Sequence, residues 1–374
     1  MKLYSSDGNY KLYHGNMLDM LDVIEPNSID AIVTDPPYEL NFMNKGWDNT
    51  GIAFQKETWK KCYDVLKSGG HMLVFGGCYD EYTEYLTKTG WKLIKDAKMD
   101  DEVVTLNPDT YGIEFHKPNE VVKFPYKGDM YHFQTNKIDL MVTANHKMYV
   151  STLGRKSNPY RLKRADTCYN KAIKMKKNAI NDNKDIEYFT LPSVEKSNGH
   201  YSYITKEIKI PMNIWLKFFG LYIAQGSTTI TESYKVKLSH YVKEDLDVIE
   251  KELSPYFNIC RYDNIGVLDI NNKELALYLQ QFGKATIKHL PKWLNTLSMK
   301  QIKLFIQWYL YGDGDRKSCK DNLRWRGYTS SKQLADDFQE LALYGGISAD
   351  ISVRPPKTVY IKEKKNLILK NLML

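Results

Sequence analysis

The segment HMLVFGGCYDEYTEYLTKTGW, residues 71–91, decides how this chain is read. Its first five residues are an apolar strand, and two glycines end that strand. Cys78 then opens text of another kind. Residues 1–77 alternate short strands with amphipathic helices, the pattern of an α/β layer. Beyond Cys78 the chain turns to short strands punctuated by Asn-Pro, Tyr-Gly and Lys-Gly turns, the pattern of an all-β region. Two architectures meet at one cysteine.

The 374 residues are enough for two or three domains. No apolar run approaches the ~18 residues a membrane span needs, and the first residues carry no signal-peptide pattern. The five cysteines (Cys62, Cys78, Cys168, Cys260 and Cys319) form no CxxC pair, which argues against a disulfide framework or a zinc site. The expected setting is the reducing cytoplasm of a bacterial or phage-infected cell, with no membrane partner. The net charge of +8 is uneven: residues 1–77 hold seven lysines and ten acids, so the rest carries +11. That asymmetry fits polyanion binding by the later part, and equally a solvated lysine-rich surface.

Residues 11–13 read as a strand, 17–23 as a short helix and 29–34 as a buried strand running into Asp35-Pro36-Pro37-Tyr38. Two prolines must leave the sheet, because proline cannot donate to its ladder. They present Asp35 and Tyr38 at the strand's C-terminal edge, where open α/β sheets bind ligands. Residues 54–66 read as an amphipathic helix, stopped by Ser68-Gly69-Gly70. On these residues the chain resembles the amino-methylating DNA methyltransferases, which modify adenine N6 or cytosine N4. DPPY is that family's catalytic motif, and the order "HGN…SIDAIVTDPPY…GWD…LKSGGHMLVFGG" follows the family's. The resemblance implies a partial Rossmann-like α/β fold over 1–77. It implies that Asp35 and a carbonyl of Pro36 or Pro37 bond the target amine, while Tyr38 stacks on an extruded base. Taken alone, DPPY also reads as a rigid strand-ending turn. The family's methyl donor is S-adenosylmethionine, held by a Phe-x-Gly-x-Gly loop. No such loop follows residue 77, so methylation is expected only when a further piece completes the enzyme.

From Cys78 the residues Cys78, Thr83, Leu86-Thr87, Gly90-Trp91 and Asp101-Glu102-Val103 are followed by Thr143-Ala144-Asn145-His146. In these blocks residues 78–160 resemble the N-terminal part of an intein, the self-splicing all-β Hint domain. The resemblance gives the glycine–cysteine junction a chemical meaning. A thiol after an unhindered glycine attacks the preceding carbonyl and turns the amide into a thioester. Thr143 and His146 would polarise that amide and protonate the leaving amine. A lone cysteine at a strand end is otherwise a small buried residue.

Residues 161–205 read as a basic, turn-rich linker with a basic helix. Two apolar helices follow, one ending at Gln225-Gly226 and the other at Asp313-Gly314, 88 residues apart. Each is followed by strand-like text, so the pair reads as a diverged duplication. Residues 206–355 resemble a LAGLIDADG homing endonuclease, of α/β fold. The resemblance implies that Gln225 and Asp313 meet, hold Mg²⁺ and cut double-stranded DNA. Gln225 stands where an acid is usual, and Trp308 where the family has a packing glycine. With one charge missing, nicking is expected to outrun double-strand cutting, and an acid at 225 to restore it.

Residues 356–374 form a tail without the His-Asn pair that closes an intein. The expected architecture is therefore a truncated or split precursor: methyltransferase front, intein front and endonuclease, with a second chain as the candidate source of the remaining parts. It is expected to cleave after Gly77 with hydroxylamine or thiol rather than to splice. Two other readings stand beside it: a DNA methyltransferase completed by a downstream piece, and a degenerate endonuclease that binds DNA without cutting.

Overall fold

The computed structural model describes residues 2–374 apart from 35, 37–51, 53–54, 75–77, 119–120, 124–125, 136, 154–158, 198–200, 232, 316–325, 354–356, 360–366, 370–371 and 374. Of the DPPY motif only Pro36 is described, so Asp35, Pro37 and Tyr38, like Gly77, lie outside. The chain is a multidomain α/β protein of many small sheets. It divides into two units. One comprises 1–80, 127–133 and 140–176; the other comprises 81–126, 134–139 and 177–374.

In the first unit Lys2–Ser6 and Lys11–His14 form a hairpin. Asp7 Oδ1 turns it by accepting from the amides of Asn9 and Tyr10. Helix Met17–Leu21 is capped by the Asn16 side chain, which accepts from Leu18 N at 2.9 Å. Strand Ile29–Thr34 then pairs in parallel with Leu66–Val74, and helix Lys56–Val65 makes the crossover. The residues read as the helix stop fall inside that second strand, where the register breaks between Ile29↔Leu66 and Ala31↔His71. Glycines here loosen a ladder rather than end a helix. Further along the unit, strand Asp139–Thr143 pairs with Met130–Gln134. Strand Lys147–Thr152 lies between Arg161–Arg164 and Ile173–Met175. Val142, Met148, Val150, Ala165 and Cys168 make the small core beneath.

These pairings correct the expected linker. Residues 161–164 and 173–175 are ladder strands, and among the described residues of the stretch the helix that forms is the four-residue Ala165–Cys168, which holds no basic residue. Cationic side chains such as Arg161 and Lys174 sit on exposed strand positions, and their charge conceals the alternation.

In the second unit Gly90–Leu93, Glu84–Thr87, Val103–Leu106 and Ile113–His116 form a four-stranded antiparallel sheet in that order. The larger core is built on helices Met212–Gln225 and Met299–Asp313. Trp215, Phe218, Phe219 and Phe305 are fully buried in it, and the Phe189 ring stacks on Trp215 at 3.9 Å. A Cβ on Gly220 would lie 2.7 Å from Phe305 O and 3.0 Å from Trp308 Cβ. A Cβ on Gly312 would lie 2.5 Å from Ala224 Cβ. Positions 220 and 308, like 224 and 312, are 88 residues apart. Positions with this one spacing thus face each other across the helix pair. One glycine per facing pair suffices, which is how Trp308 is accommodated. After the first helix come strands Gly226–Thr229 and Lys235–Ser239 and helix Lys243–Leu253. After the second come the Gly314–Gly327 bridge and helix Lys332–Tyr344.

Candidate functional site

Chemistry-bearing residues converge at two places. The first is in the unit that holds Cys78. Cys78, Tyr79 and Asp80 run antiparallel to Thr143, Val142 and Met141: Thr143 N donates to Cys78 O at 3.0 Å, Tyr79 bridges Val142, and Asp80 N donates to Met141 O at 3.1 Å. The amide of Cys78 donates to Thr143 Oγ1 at 2.9 Å. That nitrogen is the one in the Gly77–Cys78 peptide bond. The Thr143 hydroxyl in turn donates to Asn145 Oδ1 at 2.9 Å, which leaves its lone pairs for the Cys78 N–H. A tight turn, with His146 N donating to Thr143 O at 3.1 Å, brings the His146 ring edge-on to Tyr79 at 4.3 Å. Burial pushes the half-buried Cys78 thiol up from its ordinary range. The fold therefore brings Thr143 to the Cys78 nitrogen across 65 residues of sequence, with His146 against the neighbouring Tyr79. Asn145, inside the quoted motif, is the member that the sequence reading passed over.

The second place is the meeting of the two helix ends. Burial pushes the Asp313 carboxyl up to about 6, and the Lys288 ammonium opposes that shift. Burial in turn lowers Lys288. Lys288 Nζ donates to Ile223 O at 2.6 Å and Ala224 O at 3.3 Å, so it also caps the C-terminal carbonyls of the 212–225 helix. Gln225 Nε2 donates to Gly312 O at 3.0 Å. Its Oε1 lies 2.8 Å from His240 Nδ1, and His240 Nε2 lies 2.7 Å from Asp245 Oδ2. Lys288, His240 and Asp245 escaped the sequence reading. His240 ends an alternating strand and Asp245 lies in the first turn of the next helix, positions that are ordinarily solvated. Lys288 sits in a loop before a proline, and nothing local points it at residue 313.

A metal fits one side of this arrangement. Hard divalent ions take oxygen ligands, and one carboxylate such as Asp313, with waters and substrate phosphates, is a donor set that Mg²⁺ accepts. Among the described residues no group of three or more His, Cys, Asp or Glu could hold a metal ion. None of the described helices is long and apolar enough to cross a membrane.

Comparison with known proteins gives two kinds of match. The model of the DNA methylase family, N6/N4 type, matches residues 29–245. Over 83 residues the chain is 36% identical to the type II methyltransferase M.HpaI of Haemophilus parainfluenzae, covering 21% of this chain and 26% of that protein. Over 314 residues it is 36% identical to an ATP-dependent Clp protease proteolytic subunit of Chlamydomonas moewusii, covering 79% and 30%. It is also 27% identical over 314 residues to the C-terminal section of an RNA polymerase β subunit of Stigeoclonium helveticum, covering 71% and 28%. The chain spans less than a third of the length of each of these relatives. Among solved structures, I-DmoI in complex with DNA and Mn is similar over 43% of this chain and 88% of that one, with 13% identity and a TM-score of 0.29.

Proposed function

Because the chain belongs to the N6/N4 DNA methylase family, we propose that residues 1–77 open a DNA amino-methyltransferase and that a self-cleaving intein interrupts it at Cys78. The observation that carries this is the Cys78–Thr143–His146 assembly at the point where the text changes. In the step it supports, the Cys78 sulfur bonds to the Gly77 carbonyl carbon. The thiol gives up its proton as the carbon–nitrogen bond breaks, and Cys78 nitrogen leaves as an amine after taking one proton, with His146 nearby as the donor and the thiol's proton restoring the balance. Thr143 holds that nitrogen's hydrogen and so positions it.

The lengths of two matches suit the same division. The Clp protease match takes in 79% of 374 residues, about 295, and residues 78–374 number 297. The M.HpaI match takes in 21% of 374, about 79, close to residues 1–77. A protease subunit, a polymerase subunit and a methyltransferase share no chemistry. A long insertion carried by unrelated hosts would account for matches to all three.

Within the insertion, residues 206–355 form a DNA-cleaving domain of the LAGLIDADG kind. Asp313 would hold Mg²⁺, with the Lys288 ammonium beside it and double-stranded DNA as substrate. A divalent ion held there would supply polarisation of a phosphate oxygen and activation of water. S-adenosylmethionine serves only the completed methyltransferase.

The test is incubation of the purified chain with hydroxylamine. Two fragments should appear, and Cys78→Ala should abolish them. Fragments that persist in Cys78→Ala would refute the junction. A second reading is favoured by the family match running past Cys78 to residue 245: a methyltransferase domain that continues without interruption. Saturable S-adenosylmethionine binding in calorimetry would select it.

A further inference from the structure

The two helix ends occupy equivalent positions but are bonded differently. Gly312 O is an acceptor and nothing else, so the Gln225 group facing it at 3.0 Å must be the NH₂. That fixes the amide, and its oxygen therefore faces His240 Nδ1 at 2.8 Å. His240 Nδ1 must then carry the hydrogen. The other ring nitrogen rests 2.7 Å from Asp245 Oδ2, and His240 and Asp245 are 4% and 6% exposed. The carboxamide is engaged at both ends.

Only an amide satisfies this position. A carboxylate at 225 would set an oxygen against the Gly312 carbonyl, acceptor facing acceptor, while its other oxygen stayed with His240. We propose that His240, braced by Asp245, is a positioning residue that locks Gln225 as a bridge between the two helix ends, so that the centre holds one divalent cation, on Asp313, and none on Gln225. The inference rests on reading the helix-end site as a metal-dependent centre. It reverses the simpler expectation that an acid at 225 restores a second metal. Gln225→Glu should leave the cation count at one and lower the melting temperature.

Two measurements on the full chain decide it. Mn²⁺ binding counted by electron paramagnetic resonance should give one ion per chain, unchanged in Gln225→Ala and lost in Asp313→Asn. Two ions, with one lost in Gln225→Ala, would overturn the bridge. No bound ion, or binding undiminished in Asp313→Asn, would instead overturn Asp313 as the metal site. Melting temperatures judge the bridge independently of metal. The losses in Gln225→Ala and His240→Ala should be sub-additive in the double variant, because both remove one unit. His240→Asn, which returns a donor near the Nδ1 position, should recover part of the loss. Additive losses without recovery would contradict the proposal.

Discussion

The Cys78 cluster and the helix-end centre are built on opposite principles. Around Cys78 the partners are held by backbone pairing, over a core of five fully buried apolar side chains. The chemistry proposed there needs no buried ion pair, only a thiol, a hydroxyl and a ring brought to one peptide bond. At the helix ends, ionic groups such as Asp313, Lys288 and Asp245 are drawn out of water, and a far larger aromatic core holds them. Desolvating charge is costly, so the scaffold around it must be rigid. A junction that has to break its own backbone can rest on a lighter frame.

That contrast can be broken by attacking the scaffolds. Trp215→Ala removes a side chain with 0% exposure from the centre of the larger core. It should cost about 3–5 kcal/mol in denaturant unfolding, and a loss under about 1 would deny that core its supporting role. Gly220→Ala drives a methyl group toward Phe305 O and Tyr309 N, backbone atoms that cannot step aside. A loss of about 1–3 kcal/mol is expected. A neutral result would mean that the helices are not in close contact.

Asp313→Asn goes the other way. With its folded pKa raised to about 6, the ionised carboxylate lowers stability as pH rises from the ordinary carboxylate range through 6. Discounting for partial exposure and for the lost partner of Lys288, the variant should be more stable than the parent by about 1 kcal/mol at pH 8. The two should match near pH 4, where both carry a neutral group. Equal stability at both pH values would remove the claim that this acid is held at a cost. The smallest effect concerns the junction. Because burial raises the Cys78 thiol, the thiolate fraction, and with it the thiol-dependent cleavage rate, should still be climbing with pH beyond the ordinary thiol value of about 8.5. A plateau below that would place the thiol in a wetter site.

The same contrast explains what the sequence made legible. The helix pair could be read because apolar periodicity and a terminal polar-Gly signature are local, and so could the juxtaposition of Cys78 with Thr143, because both lie in recognisable blocks. His240, Asp245 and Lys288 come to residues 225 and 313 only through long-range packing, and a single sequence does not encode that proximity in any window. The 161–205 stretch misled for another reason: Arg161, Lys163 and Lys174 are strand residues whose charge hides the ladder they belong to. Gly69-Gly70 misled because glycine marks broken pairing as readily as a helix end.

The claim that two proteins meet at Cys78 is tested most directly by capture with free cysteine. A thioester at Gly77 exchanges with the thiol of free cysteine, and the product rearranges to a stable amide. Intact-mass spectrometry of the purified chain after this treatment should find residues 1–77 extended by one cysteine, together with residues 78–374, and neither product in Cys78→Ala. An uncut chain, a cut at any other bond, or the same products from Cys78→Ala would contradict the account.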